Sequence, residues 1–184
     1  MGAGGRRPAD APDRRADSRR VGGVSDLRPA TQDDVPALAR LWHAGWHEAH
    51  AAYTPAALTR LRTVGDFARR LRDALPDIRM AGPALRPLGF CAIRDDELYQ
   101  LFVADAARGT GLAGRLLADG ETRLAARGVG LARLLVGIGN ERAGRFYARH
   151  GWQETGGVET RVDSSAGPFC LTLRSFAKRL DFDG

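Results

Sequence analysis

Residues 97–117 read ELYQLFVADAARGTGLAGRLL, and the fold is decided there. Glu97 to Ala104 is an apolar run of strand length. It leads directly into Arg108-Gly109-Thr110-Gly111 and then into a helix from about Leu112 to Arg127, ended by Gly128. Glycines at 109 and 111, with small Ala113 and Gly114 behind them, let the backbone approach a ligand without Cβ interference. The first N–H groups of a helix have no acceptor one turn earlier, and the helix dipole favours negative charge at that end. Arg108 adds a cationic fork, so the segment reads as a pyrophosphate cradle, with a plain left-handed turn as the alternative. A P-loop would need GxxxxGK followed by Ser or Thr, and no lysine stands here. A dinucleotide fingerprint would follow the first strand and carry an acidic residue about twenty positions on. This loop lies mid-chain.

Working outward, the elements alternate. Asp26 to Ala30 reads as a first strand. Thr31, with Asp34 three residues on, resembles a capping box opening a long helix through about His50, with Leu38, Leu41 and Trp42 at helical spacing. Thr54-Pro55 starts a second helical region to about Leu75, broken near Gly65. Strands are expected at Ile78 to Ala81 and Leu88 to Arg94, and Asp95-Asp96 turns the chain into the strand quoted above. Beyond the cradle helix, Leu131 to Ile138 is a strand and Gly139-Asn140 opens a helix through Arg149, closed at Gly151. Trp152 to Val162 and Pro168 to Phe176 form a last pair of strands. This order indicates a single α/β (α+β) domain over residues 24–184. Residues 1–23 are Gly, Ala, Pro, Arg and Asp with almost no apolar side chains, the composition of a disordered tail.

The second informative stretch is Asn140-Glu141-Arg142-Ala143-Gly144-Arg145-Phe146-Tyr147, ending in His150-Gly151-Trp152. With the two segments in this order, the chain resembles the GNAT superfamily of N-acetyltransferases. The family's loop signature, Gln/Arg-x-x-Gly-x-Gly/Ala, stands here as Arg108, Gly111 and Ala113. Its second signature, Asn-x-x-Ala-x-x-Phe-Tyr before a Gly-aromatic pair, stands as Asn140, Ala143, Phe146, Tyr147, Gly151 and Trp152. The resemblance covers about Asp26 to Phe176 by element order and Glu97 to Trp152 by motif.

The resemblance implies a mixed sheet, flanked by helices, in which two neighbouring parallel strands splay apart. By position these are Glu97 to Ala104 and Leu131 to Ile138. It implies acetyl-CoA as co-substrate, with no metal. Pantetheine would enter the gap beside backbone groups of Leu101, Phe102 and Val103. The pyrophosphate would rest on Arg108, Gly109, Thr110, Gly111, Leu112, Ala113 and Gly114, and Asn140, Ala143 and Phe146 would complete the cofactor side. The first two helices wall the acceptor pocket in the family, which offers Trp42, Trp46 and Tyr53 as an aromatic acceptor wall suited to a flat or cationic amine.

The chemistry of acyl transfer sets further demands. An alkyl amine with an unperturbed pKa near about 10.4 must lose a proton before it attacks. Attack on a thioester builds an oxyanion that a backbone N–H can stabilise, and the leaving thiolate needs a proton that a phenol can supply. Tyr147 occupies the position of the family's general acid, or else is a core aromatic beside Phe146. Glu97 opens the motif strand and is the candidate base, or else the polar edge of the Asp95-Asp96 turn.

Composition narrows the rest. The net charge is +6, yet Lys178 is the only lysine, and no basic run or interleaved aromatic platform marks a nucleic-acid surface. A cationic cleft would instead draw in a polyanionic cofactor. No stretch approaches the ~18 apolar residues of a membrane span, and 1–23 lacks the apolar core of a signal peptide, so a cytoplasmic location is expected, with no nucleic-acid or membrane partner. Cys91 and Cys170 sit in apolar runs and read as buried core residues of a reducing compartment. His43, His47 and His50 share a helix face that could ligate a metal, but without a supporting carboxylate they read as packing residues. The expected function is transfer of an acetyl group from acetyl-CoA to a primary amine, small-molecule or peptide, in a ternary complex. The alternative is a degenerate GNAT fold acting as an acyl-CoA sensor or interaction module. Homodimerisation stays open.

Overall fold

The structure, a computed structural model, describes Met1 and residues 26–181. Apart from Met1, the tail expected at 1–23 lies outside the described residues. Seven strands form one sheet: β1 (Arg28–Pro29), β2 (Ile78–Ala81), β3 (Gly89–Arg94), β4 (Glu97–Val103), β5 (Leu131–Gly137), β6 (Gln153–Val162) and β7 (Phe169–Arg179). Their spatial order is β1-β2-β3-β4-β5-β7-β6. All neighbouring pairs are antiparallel except β4 and β5, which are parallel. Five α-helices accompany them: α1 (Val35–His50), α2 (Ala56–Leu61), α3 (Val64–Asp73), α4 (Leu112–Ala126) and α5 (Glu141–Arg149). The mixed, centrally splayed sheet flanked by helices is the architecture expected from the sequence.

Helices α1 and α3 cover one face of β2–β4 through Trp42, Phe67, Leu71, Met80 and Phe90. Helix α4 covers the other face through Leu112, Leu116, Leu117 and Leu124, joined by Trp152, Phe176 and Tyr147. Strand β3 is therefore buried on both faces, which explains its unbroken apolar run Gly89 to Ile93. Strand β5 alternates instead, with Ala132, Leu134 and Val136 buried and Leu131 and Leu135 exposed. Each large aliphatic side chain so buried contributes roughly 1.5–3 kcal/mol.

Local signals act as the sequence suggests, with adjustments. The Asp34 carboxylate accepts from the Thr31 N–H at 2.8 Å and the Thr31 hydroxyl at 2.9 Å, so the capping residues do open the α1 segment. The second helical region breaks at Arg62-Thr63, ahead of Gly65, because extended Thr63 caps α3 by accepting the Asp66 N–H at 3.2 Å. Strand β1 is only two residues long. Strand β7 continues past Phe176 to Arg179, where it still pairs with Leu131 of β5. Cys91 is buried as expected, but Cys170 is exposed. It pairs with Arg161 at the far end of the β6–β7 hairpin, outside both apolar clusters.

Candidate functional site

The parallel strands meet at one register position, Glu97↔Arg133, where the Arg133 N–H donates to Asp96 O at 3.0 Å. Beyond it β4 and β5 part. On its other side β4 stays paired to β3, but Ala92 faces Gln100 while Arg94 faces Glu97. Two steps on β3 thus oppose three on β4, a bulge at Leu98–Tyr99 that reverses which peptides face which neighbour. Past the bulge, Ala104 N–H donates to Leu88 O at 2.8 Å. Alternation along an antiparallel ladder then turns the peptide groups of Phe102 toward β3 and those of Leu101 and Val103 toward the gap. No residue type in β4 announces this bulge, and the sequence reading missed it.

The gap opens into a cavity of about 780 Å³ whose walls include Glu97 to Val103 on one side and Leu135 to Ile138 on the other. At one end lies the glycine loop. Gly109 and Gly111 have φ of +76° and +81°, a conformation that L side chains rarely adopt. Nothing lies within 4 Å of where their Cβ atoms would be, so the loop presents bare backbone to open space. The first intrahelical bond of α4 runs from Arg115 N–H to Gly111 O at 3.2 Å. This leaves the N–H groups of Leu112, Ala113 and Gly114 at the positive end of the helix. These features fit a diphosphate. Thr110 does not line the cavity; its hydroxyl donates to Ala107 O at 2.7 Å. Gly114 admits a close neighbour, since its Cβ would lie 3.2 Å from Nε2 of His150.

Arg108 lines the cavity but is ion-paired, at 2.5 Å to Glu48 and 2.7 Å to Asp105. Glu48 also holds Arg142 of α5 at 3.3 Å. Both arginines keep the Glu48 carboxyl below its ordinary range, the hydrogen bond from Arg108 being the largest influence. Asn140 caps α5 through its side-chain oxygen, which accepts the Ala143 N–H at 3.1 Å, and Asn140, Ala143 and Phe146 all line the cavity.

Tyr147 is 8 % exposed and reaches the cavity wall from α5. It packs against Phe146, Trp152 and Phe176 at ring centroid separations of 5.2, 6.2 and 6.3 Å. Burial pushes its phenol well above the usual range, so the hydroxyl stays protonated at any working pH. Trp152 is held by its indole N–H on Glu121 at 2.8 Å, and Lys178 shares that carboxylate at 2.7 Å. Glu97 sits where the strands part. It is half-buried, and desolvation raises its carboxyl, the direction that suits a base working near neutral pH.

Trp42, Trp46 and Tyr53 line the same cavity, which brings the three aromatic residues together as expected. Sequence reasoning missed their companions. His50 lines the wall, with burial lowering its imidazole to about 4. Arg62 and Arg70 line it as well. Nothing in their spacing distinguished these two from the chain's other arginines. His43 and His47 lie with ring centroids 4.3 Å apart, and Nε2 of His47 is 2.9 Å from Arg62 O. Among the described residues no group of three or more His, Cys, Asp or Glu could hold a metal ion, and no helix is long and apolar enough to cross a membrane.

The splayed parallel pair, the bulged strand beside it and the glycine loop at the α4 terminus define a class of protein, the acyl-CoA acetyltransferases. The acetyltransferase (GNAT) domain model matches residues 78–166, and this match together with the fold supports membership of the GNAT superfamily. A GCN5-related N-acetyltransferase structure from Rhodopseudomonas palustris aligns over 86% of this chain and 97% of its own, with TM-score 0.67 and 20% identity. An N-acetyltransferase from Staphylococcus aureus Mu50 aligns over 86% and 100%, with TM-score 0.65 and 17% identity. A phosphinothricin acetyltransferase from Sinorhizobium meliloti, in complex with acetyl-CoA, aligns over 86% and 89%, with TM-score 0.61 and 16% identity. At these identities the likeness is one of fold. No curated protein sequence matches the chain significantly.

Proposed function

We propose that the chain transfers an acetyl group from acetyl-CoA to a primary amine, directly, within a ternary complex in the cytoplasm. The observation that carries this reading is the parting of β4 and β5 beyond Glu97↔Arg133 into a cavity that ends on the bare backbone of Gly109 and Gly111. The complexes of related folds with acetyl-CoA support the choice of ligand. Acetyl-CoA supplies the acyl group in activated form, as a thioester.

The chain's own groups do the rest. The N–H groups at the start of α4 bind the pyrophosphate, with the guanidinium of Arg108 beside them. The gap-facing peptides of Leu101 and Val103 orient the pantetheine arm, and a backbone N–H of this strand stabilises the charge that develops on the acyl oxygen. Glu97 accepts the amine's proton, directly or through water. The amine nitrogen bonds to the acyl carbon as the carbon–sulfur bond breaks. The departing sulfur takes the Tyr147 proton, which solvent restores. Because burial makes that phenol a weaker acid than in water, its help is largest as a hydrogen bond that strengthens while the thiolate leaves.

Calorimetry with acetyl-CoA tests the reading. Gly111→Asp and Arg108→Glu each place a carboxylate at the diphosphate position and are expected to abolish binding. Unchanged affinity in both removes the assignment. Free thiol release across an amine panel then separates turnover from binding alone, the behaviour of an acyl-CoA sensor.

A further inference from the structure

The end of the cavity walled by α1 and α3 carries charge that the fold does not neutralise. Arg62 and Trp42 are 3 % and 1 % exposed. Among the described residues, neither Arg62 Nε nor Trp42 Nε1 finds a hydrogen-bond partner. Arg62 Nη1 reaches Asp66 at 2.9 Å, but the other oxygen of that carboxylate serves Arg69 at 3.0 Å. Arg70, on the same helix, has no carboxylate partner among the described residues. Its guanidinium donates to the Tyr99 hydroxyl and lies 4.8 Å from the Trp42 ring centroid. Around the whole cavity Glu97 is the one acidic side chain among the described lining residues, against five arginines, of which Arg62, Arg108 and Arg142 pair with carboxylates outside the wall.

Burying cations without equal counter-charge, and leaving buried donors unpaired, is costly. Burial and then the neighbouring Arg70 both lower the basicity of Arg62, against the opposing influence of Asp66. A cationic acceptor would add to that excess. It would also find the Trp42 face, the natural seat for a cation, already taken by Arg70. The aromatic wall therefore does not select a cationic amine, as the sequence had hinted, because the protein itself supplies the cation.

We propose that the acceptor is an amine that also carries a carboxylate, an amino acid in chemical class, with its carboxylate held by Arg70 and Arg62 beside Trp42. The planar fork of arginine matches a carboxylate with two parallel bonds. An anion docked here neutralises the excess charge, while its amine is left to face the parting of β4 and β5. This inference rests on the transferase reading above, since it names that enzyme's acceptor.

Two measurements test it on the full chain. In the first, benzoate and its neutral analogue benzamide are added in the presence of coenzyme A, and the melting temperature is followed. Benzoate is expected to stabilise the protein more than benzamide, and Arg70→Gln is expected to remove the difference. Arg70 is half-buried and without an acidic partner, so the variant should fold, and its own melting curve verifies that. In the second, thiol release is compared for phenylalanine, methionine and glutamate against their α-amides. At least one acid should be acetylated with kcat/KM about tenfold or more above its amide, an advantage lost in Arg70→Gln, with acetyl-CoA affinity unchanged. Equal stabilisation by benzoate and benzamide, a benzoate effect that survives Arg70→Gln, or amides used as well as acids would each overturn it. Turnover of spermidine in the same assay, with no anion effect, would retire this inference and leave the transferase standing. Failure of acetyl-CoA to bind would retire the transferase itself.

Discussion

Arg108 and Glu48, sixty positions apart in sequence, meet at 2.5 Å, so the cation expected to bind a diphosphate already has a carboxylate partner. Glu48 is on α1 and also reaches Arg142 of α5, tying three elements together beside the glycine loop. Any phosphate that recruits Arg108 competes with this pair. The pair is substantially exposed, at 38% and 44%, and such pairs are typically worth only ~0–1 kcal/mol.

Glu48→Gln is accordingly expected to tighten acetyl-CoA binding by roughly two- to tenfold at low ionic strength, because it leaves Arg108 only the exposed Asp105 carboxylate as partner, at little cost. The gain should shrink as salt screens the contact. Isothermal titration at two salt concentrations checks both halves. Weaker binding would mean that Glu48 positions Arg108 instead of competing for it.

Tyr147→Phe keeps the ring against Trp152 and Phe176 while removing only the hydroxyl. If that hydroxyl assists the leaving thiolate, kcat falls at least about tenfold, with acetyl-CoA affinity little changed. Steady-state kinetics beside a melting curve is the measurement. A folded variant with near-normal kcat across the pH range would reduce Tyr147 to a packing residue.

Gly120 lets α4 lie close on the sheet. A Cβ there would sit 3.0 Å from both Cys91 Sγ and Leu98 Cδ1, so a larger side chain must push buried neighbours aside. Gly120→Val should therefore destabilise the domain by about 1–3 kcal/mol, read as a lower denaturation midpoint. Because the glycine loop lies at the N-terminus of α4, about two turns from Gly120, the surviving folded fraction should bind acetyl-CoA normally. A stability equal to that of the unmodified chain would show that the helix can shift freely.

Two of the groups that shape acid stability act in separate windows. His50 has its imidazole lowered by burial from 6.5 to about 4. The unfolded chain therefore binds its proton first, and stability is lost as pH falls from 6.5 to 4. Asp34, fully buried on its Arg28 hydrogen bonds of 2.7 and 2.8 Å, is lowered from 3.8 to about 2. Its contribution, roughly 2 kcal/mol at neutral pH, is present above 3.8 and lost as pH falls toward 2. In melting curves against pH, His50→Gln should reduce the slope in the upper window only, with His43, also lowered by burial, keeping part of it. Asp34→Asn should lower stability at pH 7 and flatten the lower window. A His50→Gln profile with the original slope would show that the ring is solvated.

The sequence alone determined the order of elements, the glycine loop and the family resemblance. Those features depend on residues near one another in the chain: glycines at positions of positive φ, a polar residue capping a helix, apolar runs of strand or helix length. The ends of most elements were legible to within a residue or two for the same reason. Trp42, Trp46 and Tyr53 were legible as one wall because they share α1 and the turn after it. What only the tertiary structure decided is carried by long-range partners. The bulge in β4 arises from its ladder with β3 and has no residue signature. Arg62 and Arg70 look like any other arginines until α3 packs on α1, where Arg62 is buried and Arg70 lies against the Trp42 ring. Cys170 lies in an apolar run, yet ends exposed near the turn of the β6–β7 hairpin, outside both apolar clusters. Glu48, which as a sequence residue suggested no role, acquires one through Arg108. Charge and burial are properties of what surrounds a side chain in space, and local patterning does not carry that information.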